Sequence, residues 1–382
     1  MASTIVPEAS EDAHVDAPVN IWAVVASFSG FVGAWRLMGV CRASRQGSKR
    51  HLRTLPGLVM CGGYNTTKKK ASAAVWRLNM CDLRWEQIAT LARARAEHAC
   101  CTVRGNVVVL GGETEVGMQS TVEVVKLDPL TGKYVVSALP RMWVPSGYGA
   151  VALAVDESES AEGEVLYLGG FSSEDDEPVS RRGELYKVDL ATGRMTPQRG
   201  SLQSRQHFAA ARLPDGRVVC VGGTIRVEVK DRFEVEDRFE VEDSDMDDED
   251  EMSAMNAVTA TAEVLEPAQG SQSELWRWRV LPNMKAARVC SSGCVLSDGR
   301  FAIFGGENKI GAQRRSCEVL TLAGGLERWD PLPPMRQARS EHAAELVGGC
   351  VIVASGKHSI TAKVLEDGVG RWRQLSCTFS HS

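Results

Sequence analysis

Six segments of the chain share one pattern, in which a run of bulky apolar residues ends in a pair of small residues. The clearest copy is NVVVLGGE, residues 106–113. The other copies are LVMCGGY (58–64), VLYLGGF (165–171), VVCVGGT (218–224), FAIFGGE (301–307) and VIVASGK (351–357). From the first small residue of one pair to the first small residue of the next, the spacings are 49, 58, 53, 83 and 50 residues. Recurrence at such a spacing indicates one repeated structural unit rather than several unrelated domains.

Each unit can be divided into four short strands. In the second unit these are HACCTV (98–103), NVVVLGG (106–112), TVEVVKLD (121–128) and KYVVSALP (133–140). The second strand is apolar on both faces, as in a strand that is buried between neighbouring sheets. The glycine pair predicts that another backbone approaches closely where this strand ends, because glycine has no Cβ and tolerates positive φ. Fourth-strand tryptophans, among them Trp85, Trp329 and Trp372, are predicted to cover the gaps between neighbouring units.

A period near fifty residues with four strands per unit resembles the kelch repeat. The predicted fold class is therefore all-β, a six-bladed kelch β-propeller preceded by a short α-helical segment. The predicted organisation is a disordered tail (1–16), a helical segment (17–56) and the propeller (57–382). Blade one begins at its second strand, so the C-terminal SCTFSH, 376–381, is predicted to supply its missing inner strand.

The longest spacing contains an acidic insertion in blade four, residues 226–255. Residues 226–253 hold four basic and 14 acidic residues, a sum of −10, which leaves about +5 of the net charge of −5 for the rest of the chain. Such a charge density predicts disorder. The insertion also contains a six-residue repeat, EVxDRF. Two interpretations of the insertion stay open: a docking tail for a basic partner, and a tolerated expansion of this repeat.

The remaining composition restricts the function classes. The mild positive balance outside the insertion forms no stripe that would suit a nucleic acid, so no nucleic-acid partner is predicted. No apolar run is long enough to span a bilayer, and a protein without membrane contact, in the cytoplasm or also in the nucleus, is expected. The eleven cysteines include no CxxC pair. No metal site and no cofactor are predicted, since zinc-ligand spacings and dinucleotide or phosphate loops are missing.

The helical segment contains two periodic apolar sets. Ile21, Val24, Val25 and Phe28 follow the spacing i, i+3, i+4, i+7, which places them on one helix face, and Trp35, Leu37 and Met38 form a second set. WAVVASFSGFVGAWRLMGVCRASR, residues 22–45, resembles the F-box, with Ser27-Phe28, Arg36-Leu37 and Val40-Cys41-Arg42 at the characteristic places. The resemblance implies that these seven apolar residues bind a Skp-family adaptor. The leading Leu-Pro of a typical F-box is replaced by Ala17-Pro18-Val19.

The first strand of most units opens with a related cluster. The clusters are RAEH (95–98), RQH (205–207), RVC (288–290) and RSEH (339–342). His98, His342, His207 and Cys290 are interpreted as equivalent positions, and a group that recurs in several blades is expected to satisfy buried polar groups rather than to act as a unique catalyst.

In the kelch propellers that this chain resembles, residues at the start of the inner strand approach the mouth of the central channel. The resemblance therefore implies a ring of substrate-binding residues there, with Tyr148 as an aromatic wall. The residues of this predicted ring are Arg95, Glu97, Tyr148, Arg205, Gln206, Arg288, Arg339 and Glu341. Such a ring suits an acidic or phosphorylated peptide through guanidinium contacts. The alternative is that each arginine is tied structurally to a neighbouring blade.

The combined features favour a protein-interaction module with no catalytic residue of its own. The hypothesis is the substrate-recognition subunit of an SCF-type ubiquitin ligase, monomeric outside the complex, with a Skp-family adaptor and a cullin ligase as partners and an unknown target at the propeller mouth. The first alternative is a stand-alone kelch interaction scaffold, for example a cytoskeletal one. The second is a kelch-fold enzyme such as an oxidase, lyase or mutarotase.

Overall fold

The computed structural model consists of three helices followed by a six-bladed β-propeller. It describes residues 19–28, 30–53, 55, 57–65, 69–142, 149–155, 158–170, 185–198, 200–201, 203–228, 240–241, 254–266, 276–322, 325–357, 362–366, 370–375 and 378–379. The helices are α1 (Val19–Phe28), α2 (Gly30–Leu37) and α3 (Arg42–Leu52). No helix in these ranges is long and apolar enough to cross a membrane. The predicted disordered tail, 1–16, lies outside the residues that the structure describes.

Blade one lacks an inner strand within the described residues. Its strands are β1 (Leu58–Cys61), β2 (Tyr64–Asn65), β3 (Lys70–Asn79) and β4 (Arg84–Arg95). β1 pairs with β3, and β3 pairs in turn with β4 and β2. Blade one therefore begins at the second strand of the repeat, as the sequence predicts.

Blades two and three are complete antiparallel sheets of four strands. Blade two contains β5 (Ala99–Val103), β6 (Asn106–Leu110), β9 (Val122–Leu127) and β10 (Tyr134–Leu139), with the short hairpin β7 (Glu113–Thr114) and β8 (Gly117–Met118) between its second and third strands. Blade three contains β11 (Val151–Val155), β12 (Glu164–Leu168), β13 (Leu185–Asp189) and β14 (Met195–Pro197).

Blade four carries a second small sheet beside its main one. The short strand β15 (Arg205–Gln206) precedes the main sheet, which contains β16 (Ala209–Arg212), β17 (Val218–Val221), β21 (Ala262–Glu266) and β22 (Arg277–Leu281). The second sheet joins β15 to β18 (Thr224–Glu228), β20 (Ala254–Val258) and β19 (Glu240–Val241). The prediction of disorder is thus wrong for the parts of the insertion in β18, β19 and β20, because both ends of the insertion continue an antiparallel ladder. The rest of the insertion lies outside the described residues.

Blades five and six repeat the same four-stranded order. Blade five contains β23 (Ser292–Val295), β24 (Phe301–Phe304), β25 (Cys317–Thr321) and β26 (Arg328–Leu332). Blade six contains β27 (Ala343–Val347), β28 (Cys350–Ala354), β29 (Ala362–Glu366) and β30 (Arg371–Leu375). The second strands β17, β24 and β28 are buried throughout, which matches their continuous apolar sequences.

The C-terminus joins blade one, but not at the predicted position. The last strand, β31 (Thr378–Phe379), pairs in parallel with β4, the outer strand of blade one. The prediction that the C-terminus supplies the inner strand is therefore wrong. The C-terminal strand instead covers the edge of β4, which would otherwise be unpaired.

Close contacts between blades explain the glycine pairs. A Cβ added to Gly222 would lie 2.7 Å from the Arg288 carbonyl oxygen of blade five, and one added to Gly305 would lie 2.4 Å from the Arg339 carbonyl oxygen of blade six. The second glycines of blades two, four and five face their own blade; a Cβ on Gly223, for example, would lie 2.4 Å from the Gln206 carbonyl oxygen. Both glycines of each pair have positive φ. The prediction of close backbone approach at these positions is confirmed.

The fourth-strand tryptophans connect neighbouring blades. The indole N–H of Trp329 donates to the carbonyl oxygen of Pro282 at 2.8 Å, and that of Trp372 donates to Pro333 at 2.7 Å. In each case the acceptor follows the outer strand of the preceding blade. Each of these rings therefore lies across the gap between two blades, as predicted.

The helices, blade one and blade six share one hydrophobic core. This core includes Phe31 of α2, Leu78 and Trp85 of blade one, and Ile352 and Val364 of blade six. Packing across this core closes the ring between the first and last blades.

Candidate functional site

The four cluster arginines lie inside the blades and not on the mouth of the channel. Arg95 and Arg288 are 0% exposed, Arg339 is 1% exposed and Arg205 is 2% exposed. In three blades the guanidinium Nη1 donates to the carbonyl of the blade's own first glycine. The distances are 2.8 Å from Arg95 to Gly111, 2.9 Å from Arg205 to Gly222 and 2.9 Å from Arg288 to Gly305.

A glutamate on the third strand pairs with each of these three arginines. Arg95 forms an ion pair with Glu123, Arg205 with Glu263 and Arg288 with Glu318, and all three glutamates are buried. A second oxygen of the carboxylate binds the segment that precedes the arginine. Glu123 Oε2 accepts from the backbone N–H of Ala92 at 2.6 Å, and Glu318 Oε2 accepts from that of Lys285 at 2.8 Å.

These ion pairs join the third strand, the glycine pair and the connection between blades. Burial lowers the pKa of Arg95 and of Arg288, while the neighbouring glutamates act in the opposite direction and keep the guanidinium groups charged. A guanidinium that is buried and already paired cannot reach a ligand in the channel. The prediction that Arg95, Arg205, Arg288 and Arg339 bind a substrate at the mouth is therefore wrong. Their role is structural, but the guanidinium groups are tied within their own blades and not to a neighbouring blade as the alternative had it.

The sequence does contain a signal for the missing partners. A single glutamate occupies the same place in the otherwise apolar third strands TVEVV (121–125), TAEVL (261–265) and SCEVL (316–320). A charge that recurs inside a buried strand requires a buried partner. The corresponding segment of blade six is TAKVL (361–365), with Lys363 in place of the glutamate.

The residue two positions after each arginine lies just before the inner strand, where the resemblance to kelch propellers implies the mouth of the central channel. Glu97, His207, Cys290 and Glu341 all have positive φ, between 51° and 52°. Backbone hydrogen bonds join this position in successive blades. The N–H of His207 donates to Gly149 O at 3.2 Å, that of Cys290 to His207 O at 3.0 Å and that of Glu341 to Cys290 O at 2.9 Å. These hydrogen bonds connect the starts of the inner strands of blades three, four, five and six.

The side chains around this series form a mixed, mainly acidic group, here called the mouth cluster. It comprises Glu97, His207, Cys290, Glu307, Glu341 and Lys357. Glu97 lies 3.6 Å from His207 Nδ1, and Lys357 Nζ lies 3.3 Å from Glu307. Partial desolvation raises the pKa of Glu341, and the carboxylates of Glu307 and Glu97 act in the same direction, whereas Lys357 and His207 oppose them. Of the predicted ring, Glu97 and Glu341 are exposed members of this cluster.

The other predicted ring residues have different places. Gln206 is half-buried and pairs with Thr224 in the small sheet of blade four, and Tyr148 lies outside the described residues. Burial raises the pKa of the Cys290 thiol to about 12, so this thiol is protonated at neutral pH. Within the described ranges, no group of three or more His, Cys, Asp or Glu side chains is arranged to hold a metal ion.

The histidines of the inner strands are not all equivalent. Strand register aligns His98 with Phe208, because Ala99 pairs with Leu110 as Ala209 pairs with Val221. His207 therefore matches Glu97 at the mouth, and its predicted equivalence to His98 is wrong. Burial lowers the pKa of His98 to about 4, and that of His342 to about 3. Both of these imidazoles are therefore neutral at neutral pH; His342 is buried and His98 is half-buried.

The helical segment presents an exposed apolar face on α1. Ile21 is 49% exposed, Val24 56% and Val25 41%, while Trp22 and Ala26 are buried on the other side of the helix. A Cβ on Gly47 of α3 would lie 2.5 Å from the Trp22 Cβ, so α1 and α3 cross in close contact. The side chain of Phe28 lies outside the described residues.

The second apolar set contacts the propeller instead. Trp35, Leu37 and Met38 are partly buried against the core that the helices share with blades one and six. The Trp35 indole N–H donates to Met80 O of blade one at 3.1 Å, and the Phe31 backbone N–H donates to Gly348 O of blade six at 3.1 Å. The segment is thereby fixed to the ring, with the α1 face left open.

Comparisons with known proteins support the fold. No family model matches the sequence, and no curated protein matches it. Among solved structures, the chain is similar to the structure of YjhT, with a TM-score of 0.56 and 12% sequence identity, over 84% of this chain and 97% of that chain. At this identity the likeness concerns the fold alone. The chain is an all-β propeller.

Proposed function

We propose that the protein is the substrate-recognition subunit of an SCF-type ubiquitin ligase. In this role α1 binds a Skp-family adaptor that leads to a cullin ligase, and the propeller holds the target protein. The subunit needs no catalytic residue, because its task is to raise the effective concentration of the target near the ligase. The residue-level resemblance to the kelch repeat and to the F-box supports this proposal.

The exposed apolar face of α1 is the main observation that supports adaptor binding. Ile21, Val24 and Val25 lie on one side of the helix and are exposed, although the other side of the same helix is used for packing on α3. A contiguous apolar face that the fold itself leaves open is typical of a protein-binding surface. Because α2 and α3 fix the segment to the ring, a bound adaptor would have a defined orientation relative to the propeller.

Co-purification with a Skp-family adaptor tests this role. The wild-type protein should retain the adaptor, and Val24→Asp should lose it, because a carboxylate would be buried at the apolar interface. Val24 is a sharper choice than Leu37, which is partly buried in the shared core, so that its substitution would also disturb folding. Leu130→Asp is the matched control, since Leu130 is 94% exposed on blade two. Absent binding, or equal binding by all three proteins, would contradict the proposal.

One observation favours the stand-alone scaffold as the second candidate. Trp35 and Phe31 bind blades one and six, so the helices have a structural role in the ring whether or not an adaptor exists. A protein that is stable and monomeric but indifferent to every Skp-family adaptor would favour this candidate.

A further inference from the structure

The inner strands of neighbouring blades contact one another around the channel, except at blade one. These strands are β5, β11, β16, β23 and β27 of blades two to six, and each contacts the next in that order. Among the described residues, β1 of blade one pairs only with β3, and no strand lies on its inner edge. The position of one inner strand, between β27 and β5, is therefore not filled by any described strand.

Exposed side chains are found on the two inner strands that flank this position. On β5 the exposed residues are Cys100 and Thr102, and on β27 they are Ala343 and Glu345. The other inner strands, β11, β16 and β23, have only buried or half-buried residues. Exposure of inner-strand side chains is thus confined to the neighbours of blade one.

Packing of β5 shows in which direction its exposed pair points. Ala99 and Cys101 of β5 pack with Ala152 in the core between blades two and three. Successive side chains of a strand point to opposite faces of the sheet. Cys100 and Thr102 therefore point away from blade three and toward blade one.

The exposed pair of β27 points to blade one from the other side. Ala344 and Leu346 of β27 pack with Cys294 in the core between blades five and six. The alternate residues, Ala343 and Glu345, therefore point away from blade five and toward blade one. The space between the exposed pair of β5 and that of β27, beside the inner edge of β1, is here called the blade-one gap.

β1 turns backbone groups toward the blade-one gap. The Gly62 N–H donates to Ala74 O at 3.0 Å on the side of β3. Hydrogen-bonding directions alternate along an antiparallel strand, so the backbone groups of Val59 and Cys61 point away from β3. The centre of β1 is also half-buried, whereas the second strands β17, β24 and β28 are buried throughout. An open edge of this kind pairs readily with an extended segment.

We propose that residues 2–6 of this chain, ASTIV, occupy the blade-one gap as the inner strand of blade one. Residues 1–6 are the longest run without an acid or a proline among the first 18 residues. Threonine, isoleucine and valine favour strands. The inner strands ACCTV (99–103) and AAELV (343–347) have a similar content of small and β-branched residues. Small side chains are needed there because the blades converge toward the channel.

The position of the helices gives this strand the direction that it requires. The Phe31 N–H of α2 donates to Gly348 O, in the turn where β28 begins, and α3 leads directly into β1. The helices therefore lie at the end of the ring where second strands begin. A strand that precedes the helices runs toward this end, which is antiparallel to β1.

The chain between residue 6 and α1 is long enough to reach. A Cβ on Gly47 of α3 would lie 2.7 Å from Val19 O, at the start of α1. From Gly47 the chain reaches Leu58 through the end of α3 and a short connection, so Val19 lies within about 30 Å of Leu58. Residues 7–18 can span about 40 Å when extended. The C-terminal strand β31 lies at the opposite edge of blade one, beside β4, and leaves the edge of β1 open.

Labelling of Cys100 with N-ethylmaleimide tests the proposal, because this thiol points into the gap. Mass spectrometry measures the labelling rate in the wild-type protein and in a variant whose residues 2–6 are replaced by Gly-Ser-Gly-Ser-Gly. The replacement keeps the length of the tail but disfavours strand pairing. We expect Cys100 to react about tenfold faster in the variant, since only local opening exposes it in the wild type. Equal rates would overturn the proposal.

Two other cysteines provide internal controls. Cys41 at the start of α3 is half-buried and should react equally in both proteins. Cys220 is 2% exposed, so its labelling reports unfolding of the propeller. The same Gly-Ser replacement at residues 9–13 is the matched control, and it should leave the labelling rate of Cys100 unchanged. A faster Cys100 rate in this control as well would show that ASTIV has no special role.

Single substitutions test the same point if the replacement of residues 2–6 unfolds the protein. Ser3→Pro and Thr4→Pro are made separately, because successive N–H groups of a strand point to opposite sides and one of the two faces β1 in either register. At least one of these variants should label faster at Cys100. Ala13→Pro, outside the proposed strand, should not. Unchanged Cys100 rates in both variants would overturn the proposal.

Synthetic peptides distinguish the segments that could fill the gap. A peptide of residues 1–8, added to the variant with the Gly-Ser replacement, should restore slow labelling of Cys100 and raise the melting temperature as its concentration increases. A peptide of residues 8–15 is the control and should do neither. Restoration by a peptide of residues 376–381 instead would assign the gap to the C-terminal segment and overturn the proposal. The inference does not depend on the proposed function, because every measurement uses the purified protein without adaptor or target.

Discussion

Blades five and six have the same backbone but different buried chemistry. Both are antiparallel sheets of four strands, and both bury an arginine at the start of the inner strand. Blade five pairs Arg288 with Glu318, whereas blade six has Lys363 at the equivalent position. The sheet forms in both cases. The apolar strands and their register therefore determine the blade, and the ion pair determines its local electrostatics.

The largest effect is expected when blade five is converted to the chemistry of blade six. Glu318→Lys removes the carboxylate beside the buried Arg288 and adds a second cation. Removal of one partner of a buried ion pair costs roughly 3–5 kcal/mol of the free energy of unfolding. Denaturant unfolding of the purified variant measures this loss.

A surface charge of the same blade gives the control for this substitution. Asp330 pairs with Arg328 at 2.9 Å, but Arg328 is 60% exposed. Asp330→Lys should therefore cost less than about 1 kcal/mol. Equal losses in the two variants would show that the buried pair of blade five has no special role.

The inner histidine of blade six predicts a dependence on pH that blade five lacks. Blade five has Ser291 where blade six has His342, whose pKa is lowered to about 3 by burial. The imidazole takes up a proton near pH 6.5 in the unfolded chain but only near pH 3 in the folded one, so stability is lost as the pH falls below 6.5. His342 alone should contribute a loss of about 2 kcal/mol between pH 6.5 and 4.5.

Denaturant unfolding at a series of pH values measures this contribution. His342→Ser copies blade five and should flatten the profile, although His98 still contributes, since its pKa is also lowered, to about 4. A profile that is as steep in His342→Ser as in the wild type would contradict the assignment.

Blades five and six also differ at the first small residue after the second strand, which is Gly305 in blade five and Ser355 in blade six. Exchanging glycine and serine at these positions should have smaller effects on stability. Blade five has Gly305 with φ of 57°, and blade six has Ser355 with φ of 65°. Gly305→Ser should cost roughly 2 kcal/mol, because its Cβ would meet the Arg339 carbonyl oxygen and the residue would keep a positive φ. Gly311 also has positive φ, but nothing lies near its Cβ position, so Gly311→Ser isolates the backbone term. Equal losses at positions 305 and 311 would exclude the steric contribution. Thermal unfolding compares the two.

The reverse substitution should have the smallest effect of the series. Ser355→Gly in blade six removes an L residue from the left-handed region and should raise the free energy of unfolding by about 1 kcal/mol. Thermal unfolding measures the gain. A loss of stability instead would mean that the Ser355 side chain contributes more to packing than its backbone strain costs.

The repeat pattern was sufficient to predict the propeller, but not the roles of its charged residues. Gly222 and Gly305 meet a local steric requirement, and the sequence of one repeat is enough to predict it. The role of Arg288 depends on Glu318, which is 30 residues away, and only the alignment of third strands across blades exposes that pairing. The C-terminal strand failed as a prediction for a related reason, because two open edges of blade one, at β1 and at β4, were available to the same short segment.

The contacts of Phe31 and Trp35 have a consequence for how the protein can be divided. Since α2 donates to blade six and binds blade one, it holds together the first and last blades of the ring. A fragment that starts at blade one would lose this bridge and expose the apolar surface beneath it. We therefore expect the unit that folds to include the helices, and any partner that binds α1 contacts a segment that is packed directly on the blades.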